Sequence, residues 1–242
     1  MSGGNRPNVR MRINLFHAIP LLLIAISEVV SAGGDEVRRL RGPDHLVPAK
    51  QGYGDWHDRY IAQLDKRLEL SGFAFARMVV RPSFDGESTV FLHGADGDRD
   101  IGTTEQFFLT HIKADTSIWY AMPDNNEAKQ QKEVKVTRVT VPIGKPLAIR
   151  LQKDWIRMLD RTREPDEPGS GLDGVTVEFR AAGKTGETWT PDRRLSTGML
   201  VQLGYEMIAL FHTPAEDRPA AVKAIEKASN RLRKYLDGVA GK

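Results

Sequence analysis

Gly183-Lys184-Thr185 comes directly after the β-like run GVTVEFRAA, which is where a nucleotide-binding loop would sit. A phosphate-binding loop needs G-x-x-x-x-G-K-[ST], because its early glycine lets backbone N–H groups curl around the phosphates. Here that position holds Glu178, whose charge repels phosphate. Val175, Val177 and Phe179 alternate with Thr176, Glu178 and Arg180 as in a half-buried strand. Beyond Thr185 stand Gly186 and the β-prone ETWTP, so the helix N-terminus that would hold the anion is missing. The spacing predicts a turn between two strands, with no nucleotide and no other cofactor.

Asp96, Asp98 and Asp100 stand at the 1-3-5 spacing of a calcium loop. The sixth and twelfth positions hold Ile101 and Phe107, with Gly102 and Glu105 displaced, so a solvated acidic turn is the expectation and an irregular oxygen-ligand site the alternative. His93 and His111 fall on neighbouring expected strands and could approach across a sheet. Neither has a partner at i+2 or i+4, and zinc needs three or four convergent ligands. Glu206 is a carboxylate within an apolar run, a setting that suits acid–base work if buried; the expectation is that it emerges on a polar stripe with Gln202. The stretch GSG at 169–171 lacks nucleophile-elbow spacing. The catalytic candidates are therefore His93, His111 and Glu206, and the metal candidates Asp96, Asp98 and Asp100. Trp56, Trp119, Trp155 and Trp189 lie on four different elements, in phase with apolar neighbours, and are expected in the core, although such rings could also line a glycan groove.

The elements that must position these residues are set by periodicity. Trp56, Tyr60, Ile61, Leu64 and Leu68 recur at helical spacing over 55–70. Period two then marks strands at 73–81 and 88–93 around PSFDGE, and at 105–113 and 117–122, suggesting two hairpins. A fifth strand spans 133–141, where the apolar phase slips between Val136 and Val139; that predicts a bulge or burial of both faces. Pro146 opens a helix, a last strand pair comes after it, and an apolar helix runs over 196–211 with Gly198 and Gly204 permitting close backbone approach. The final helix ends near Gly238. Strands in succession with helices gathered towards the end predict an α+β domain over 55–238, an antiparallel sheet with helices mainly on one face.

The N-terminus carries Arg6, Arg10 and Arg12, then the apolar AIPLLLIAI, then Val30-Ser31-Ala32. That is the layout of a secretory signal over 1–32, with a mature end at Gly33 and no stable membrane span after cleavage; the alternative is an uncleaved membrane anchor, for which the apolar run is short. Residues 33–54 mix charge, glycine and proline without apolar period and are expected to be a flexible tether. The chain holds no cysteine, which excludes thiolate catalysis, thiolate metal sites and disulfides. Its 35 basic and 32 acidic residues become 32 and 31 once three arginines and Glu28 leave with the leader, so nucleic-acid binding is not expected.

LDGVTVEFRA at 172–181, with GETWTP at 186–191 and an apolar helix after it, resembles a C-terminal pattern in uncharacterised bacterial proteins, many of them exported. Thr190 stands where that pattern has serine. The resemblance reaches from Leu172 to about Phe211; it implies a strand–turn–strand–helix unit and carries no activity. The chain is thus expected to be an exported, periplasmic or secreted, non-catalytic bacterial protein that binds a protein partner or small ligand. The alternative is an extracytoplasmic hydrolase built from His93, His111, Asp96, Asp98 and Glu206.

Overall fold

The computed structural model describes residues 43–49, 54–95, 98–122, 133–165 and 173–240. Helix α1 (Asp55–Leu68) precedes strands β1 (Ala76–Pro82), β2 (Ser88–Gly94) and β3 (Phe107–Ala114). A four-residue helix α2 (Ile118–Ala121), strand β4 (Val136–Ile143) and helix α3 (Lys145–Leu159) come next. Strands β5 (Val175–Ala181) and β6 (Lys184–Trp189) lead to α4 (Ser196–Phe211) and, after one 3₁₀ turn, α5 (Arg218–Ala240). The six strands form one antiparallel sheet in the order β4-β3-β2-β1-β5-β6, the expected α+β architecture.

Strand alternation splits the core in two. Met78, Val90, Leu92, Leu109, Val177 and Phe179 turn to the face covered by α3, α4 and α5. Val79, Phe91 and Ile112 turn to the other, where α1 buries Tyr60, Leu64 and Leu68 at helical spacing. Three of the four long helices therefore share one face. In α3, Pro146 opens the first turn, and Leu147, Leu151, Trp155 and Met158 form the buried stripe. In α5 the buried positions are Ile225, Ser229, Leu232 and Leu236. Gly204 lets α4 lie directly on β1, since a Cβ there would stand 2.2 Å from Met78 Sδ.

Three sequence expectations change. Residues 117–122 are not a strand: Ser117 caps α2, and β3 pairs instead with β4, Phe107 opposite Ile143 through Ala114 opposite Val136. A four-residue apolar run fits either period, and tertiary capping decides the outcome. The β4 register is unbroken, so the phase slip is neither bulge nor double burial; β4 is an edge strand that leaves Val136 and Val139 exposed. Gly238 does not end the last helix, which continues to Ala240.

Residues 43–49, within the stretch expected to be a tether, are packed against the domain. Leu46 is fully buried, and Val47 pairs with Glu187 on β6 through backbone hydrogen bonds of 2.9 and 2.8 Å. The Asp44 carboxylate accepts from Ser196 N at 2.5 Å and from Tyr235 Oη at 2.9 Å. Leu195 at the start of α4 offers no capping oxygen, so a residue 152 positions before Ser196 supplies it. Apolar periodicity cannot detect a segment held by one leucine and one cap. The expected leader over 1–32 lies outside the described residues.

Candidate functional site

The loop between β1 and β2 carries Glu87, a carboxylate 1% exposed. Its placement starts with Gly86, where a Cβ would meet the Ala114 carbonyl oxygen at 2.1 Å, so only glycine lets the loop lie on the end of β3. Ala114 N then donates to Glu87 O at 2.9 Å and fixes the backbone. The carboxylate accepts from Ile118 N at 2.6 Å, Tyr60 Oη at 2.9 Å, Trp119 N at 3.3 Å and Ser117 Oγ at 3.4 Å. It satisfies the first N–H groups of α2 and ties that helix to α1. Burial raises the Tyr60 hydroxyl pKa above its ordinary value, and the neighbouring Glu87 charge and hydrogen bond push the same way.

Beside this cluster Arg81 of β1 crosses the sheet towards Glu187 of β6, Nη2 to Oε2 at 2.9 Å, with Glu178 of β5 at 3.7 Å. These three charges share the α1 face because they stand in phase with Val79 on their strands. Ser83 just beyond β1 is pinned to Gly174: Ser83 N donates to Gly174 O, and the serine hydroxyl bridges Gly174 N and O, all at 3.0 Å.

A cavity of about 320 Å³ opens between Arg81, Ser83, Glu87, Asp173 and Thr176, with rings around it. Tyr60 is buried on its inner side, whereas Trp119, Tyr120 and Phe84 are 36%, 63% and 72% exposed. Trp119 is held edge-on against Tyr60 at 4.9 Å and Trp56 at 5.7 Å. The expectation of four core tryptophans holds for Trp155, which is fully buried, and fails for Trp119 and Trp189, 36% and 43% exposed. In α2 the buried positions are Ile118 and Ala121, which leaves Trp119 on the outer side against Trp56 and Tyr60, and Trp189 is the last residue of the edge strand β6.

The sequence candidates do not converge. His93 pairs in register with Phe108 and His111 with Val90, so the two histidines occupy opposite faces of the sheet. His93 lies within 2.8 Å of Gly94 O through Nδ1 and 2.9 Å of Thr110 Oγ1 through Nε2. His111 is buried beside Phe211 and His212. Burial first, and then the charges of His212 and Lys113, lower its pKa to about 4, so it is neutral at pH 7. Glu206 emerges partly exposed beside Gln202, whose amide donates to it at 2.7 Å, as the stripe on α4 predicts. Asp98 and Asp100 are exposed, Asp100 Oδ1 accepting from Gly102 N at 2.8 Å, while Asp96 lies outside the described residues. Among the described residues no three His, Asp or Glu side chains are placed to hold a metal ion.

Gly183 is the second residue of the two-residue turn joining β5 to β6, and Lys184 and Thr185 begin β6, with Ala181 opposite Lys184. Ala182 (φ 50°) and Gly183 (φ 74°) are both left-handed, as a type I′ turn requires. Lys184 reaches Asp160 on the end of α3, and the element that begins at Lys184 is a strand and not a helix. The glycine, tryptophan and threonine of the LDG…TWTP stretch are structural: a Cβ on Gly174 would meet Thr190 Oγ1 at 2.4 Å and Trp189 at 2.7 Å. Thr190, held at φ 38°, closes the hairpin by exchanging hydrogen bonds with Val175 at 3.0 and 3.1 Å.

Glu87, Tyr60 and Arg81 are not singled out by the sequence. The one available signal is an acidic residue directly before a β run inside a turn-rich loop, which is too common to select it. No helix among the described residues is long and apolar enough to cross a membrane. No protein-family pattern, no curated protein and no solved structure matches this chain.

Proposed function

We propose that this chain is an exported, non-catalytic binding protein that seats a small neutral ligand in the aromatic cavity beside α2. The observation that carries the proposal is the division of labour in that cavity. Glu87 is already engaged by four donors and Arg81 by two carboxylates, so its innermost charged groups build the wall. The rings of Trp119, Tyr120 and Phe84 remain open. Exposed rings over a few polar groups match a ligand with a flat apolar face and a hydroxylated edge, a description that a saccharide ring meets. Export rests on the arginine-rich start, the short apolar core and the small residues ahead of Gly33.

The hydrolase alternative needs a histidine and two carboxylates within hydrogen-bond reach, and the described residues offer it no support. Calorimetric titration with soluble neutral disaccharides tests the binding reading. Saturable binding is expected, weakened at least about tenfold by Tyr120→Ala, consistent with loss of a ring worth about 1.5 kcal/mol. Absence of heat for every disaccharide, or equal affinity in the variant, rejects the saccharide seat.

A further inference from the structure

At the other end of β1 lies a larger cavity, about 630 Å³, formed by the α1–β1 connection, residues 99–101 and the tip of the β5–β6 hairpin. Its apolar wall is made by Leu70, Phe73, Phe75 and Ile101, with the Phe73 ring 45% exposed and edge-on to Phe75 at 5.2 Å. Four cations line it, Arg77, Arg99, Arg180 and Lys184, against one carboxylate, Asp100. The partners of Arg180 and Lys184, Glu178 and Asp160, stand outside the lining.

Arg77 is the unusual member, a guanidinium only 3% exposed. It donates to the carbonyl oxygens of Leu70 and, at 2.8 Å, Gly72, and lies 4.9 Å over the Phe91 ring. Its buried Nε has no hydrogen-bond partner, and no described carboxylate lies within ion-pair distance. Arg180 is its direct cross-strand neighbour in register. Like charges placed opposite one another destabilise a sheet, and Asp65, Glu69 and Glu178 offset the buried charge only from beyond ion-pair distance. Desolvation and then Arg180 lower the Arg77 pKa to about 10 against the opposing pull of Asp65, Glu69 and Glu178, which leaves it cationic at neutral pH. The carbonyls of the α1 end account for its orientation but supply no net negative charge.

We infer that this cavity is a second binding site, for an amphipathic carboxylate: the acid group sits between Arg77 and Arg180, and the alkyl body lies along Phe73, Phe75 and Ile101. A nucleotide is the poorer fit, because the wall is mainly apolar and no helix N-terminus faces the cavity. The site is independent of the aromatic cavity, which lies at the opposite end of the same strand.

Fluorescence titration of the full chain with dansyl-labelled undecanoic acid and with its methyl ester tests the assignment. The acid is expected to give a saturable emission rise, with the ester binding at least about tenfold more weakly because it carries no negative charge to pair with the guanidinium groups. Arg180→Gln is expected to weaken the acid by a similar factor and leave the ester unchanged, and Arg99→Gln, on an exposed loop, to weaken it by a smaller one. Tyr120→Ala, at the other cavity, is expected to leave acid binding intact, so the two proposals fail separately. Equal affinity for acid and ester, acid binding indifferent to both arginine variants, or no saturable signal would each overturn the site.

Discussion

The face of the sheet beneath α3, α4 and α5 and the face beneath α1 come from the same strands, one residue out of phase. The first collects Met78, Leu92, Leu109, Phe179 and Trp155, all with no exposure, and three long helices close over it. The second collects Arg77, Arg81, Glu178, Arg180 and Glu187 alongside a smaller apolar cluster, and one long helix covers only part of it. The aromatic cavity borders this second face, and the larger one opens at the end of the sheet, where Arg77 and Arg180 of the second face meet Phe75, Ala181 and Gln152 of the first. The difference separates two demands on a sheet: a closed apolar layer supplies the stability, and the incompletely covered polar layer leaves rings and cations available to ligands.

The comparison breaks most sharply at Trp155. It is fully buried in α3, packs edge-on to Phe179 at 5.8 Å and donates Nε1 to Arg77 O at 3.2 Å. Trp155→Ala is expected to cost about 3–5 kcal/mol in urea unfolding, the range for deleting a large aromatic from a packed core. Any fraction that stays folded should still bind at the aromatic cavity; a binding loss without unfolding would show that the two faces are coupled.

A smaller effect is expected from pH. His111, on the closed face, has its folded pKa lowered to about 4 from 6.5. Protonation therefore favours the unfolded chain: the stability is fully present above about pH 6.5 and is lost as pH falls towards 4. The loss amounts to roughly 3 kcal/mol if the whole shift is realised. His111→Leu should flatten the stability profile across that window; an unchanged slope would assign the acid sensitivity to other groups.

On the open face the counterpart is Glu87→Ala, expected to cost about 2 kcal/mol because it leaves the Tyr60 hydroxyl and two α2 N–H groups without their acceptor. Unlike Trp155→Ala, it should also abolish disaccharide binding, since α2 carries Trp119 and Tyr120. Wild-type affinity in this variant would place the ligand elsewhere.

Much of this molecule is dictated by local chemistry. Alternation in GVTVEFRA, the missing early glycine and the β-prone ETWTP are enough to make Gly183-Lys184-Thr185 part of a hairpin, because a strand's period and a turn's φ requirement are properties of a few adjacent residues. The helices at Lys145–Leu159 and Ser196–Phe211 are equally readable, their apolar stripes being wide and long. The close approach at Gly204 is foreshadowed by glycine inside an apolar helix.

What only the tertiary structure decided is which distant groups meet. Asp44 caps a helix 152 positions away, Glu87 organises a helix that begins 31 positions later, and Ile118–Ala121 becomes helical because that carboxylate reaches its N–H groups. His93 and His111 were separated by a register that neither strand carries alone. Periodicity is local and fixes where each side chain points along its own element. Convergence depends on pairing order and on the length of the loops between elements, and a one-residue change in register moves a side chain to the opposite face.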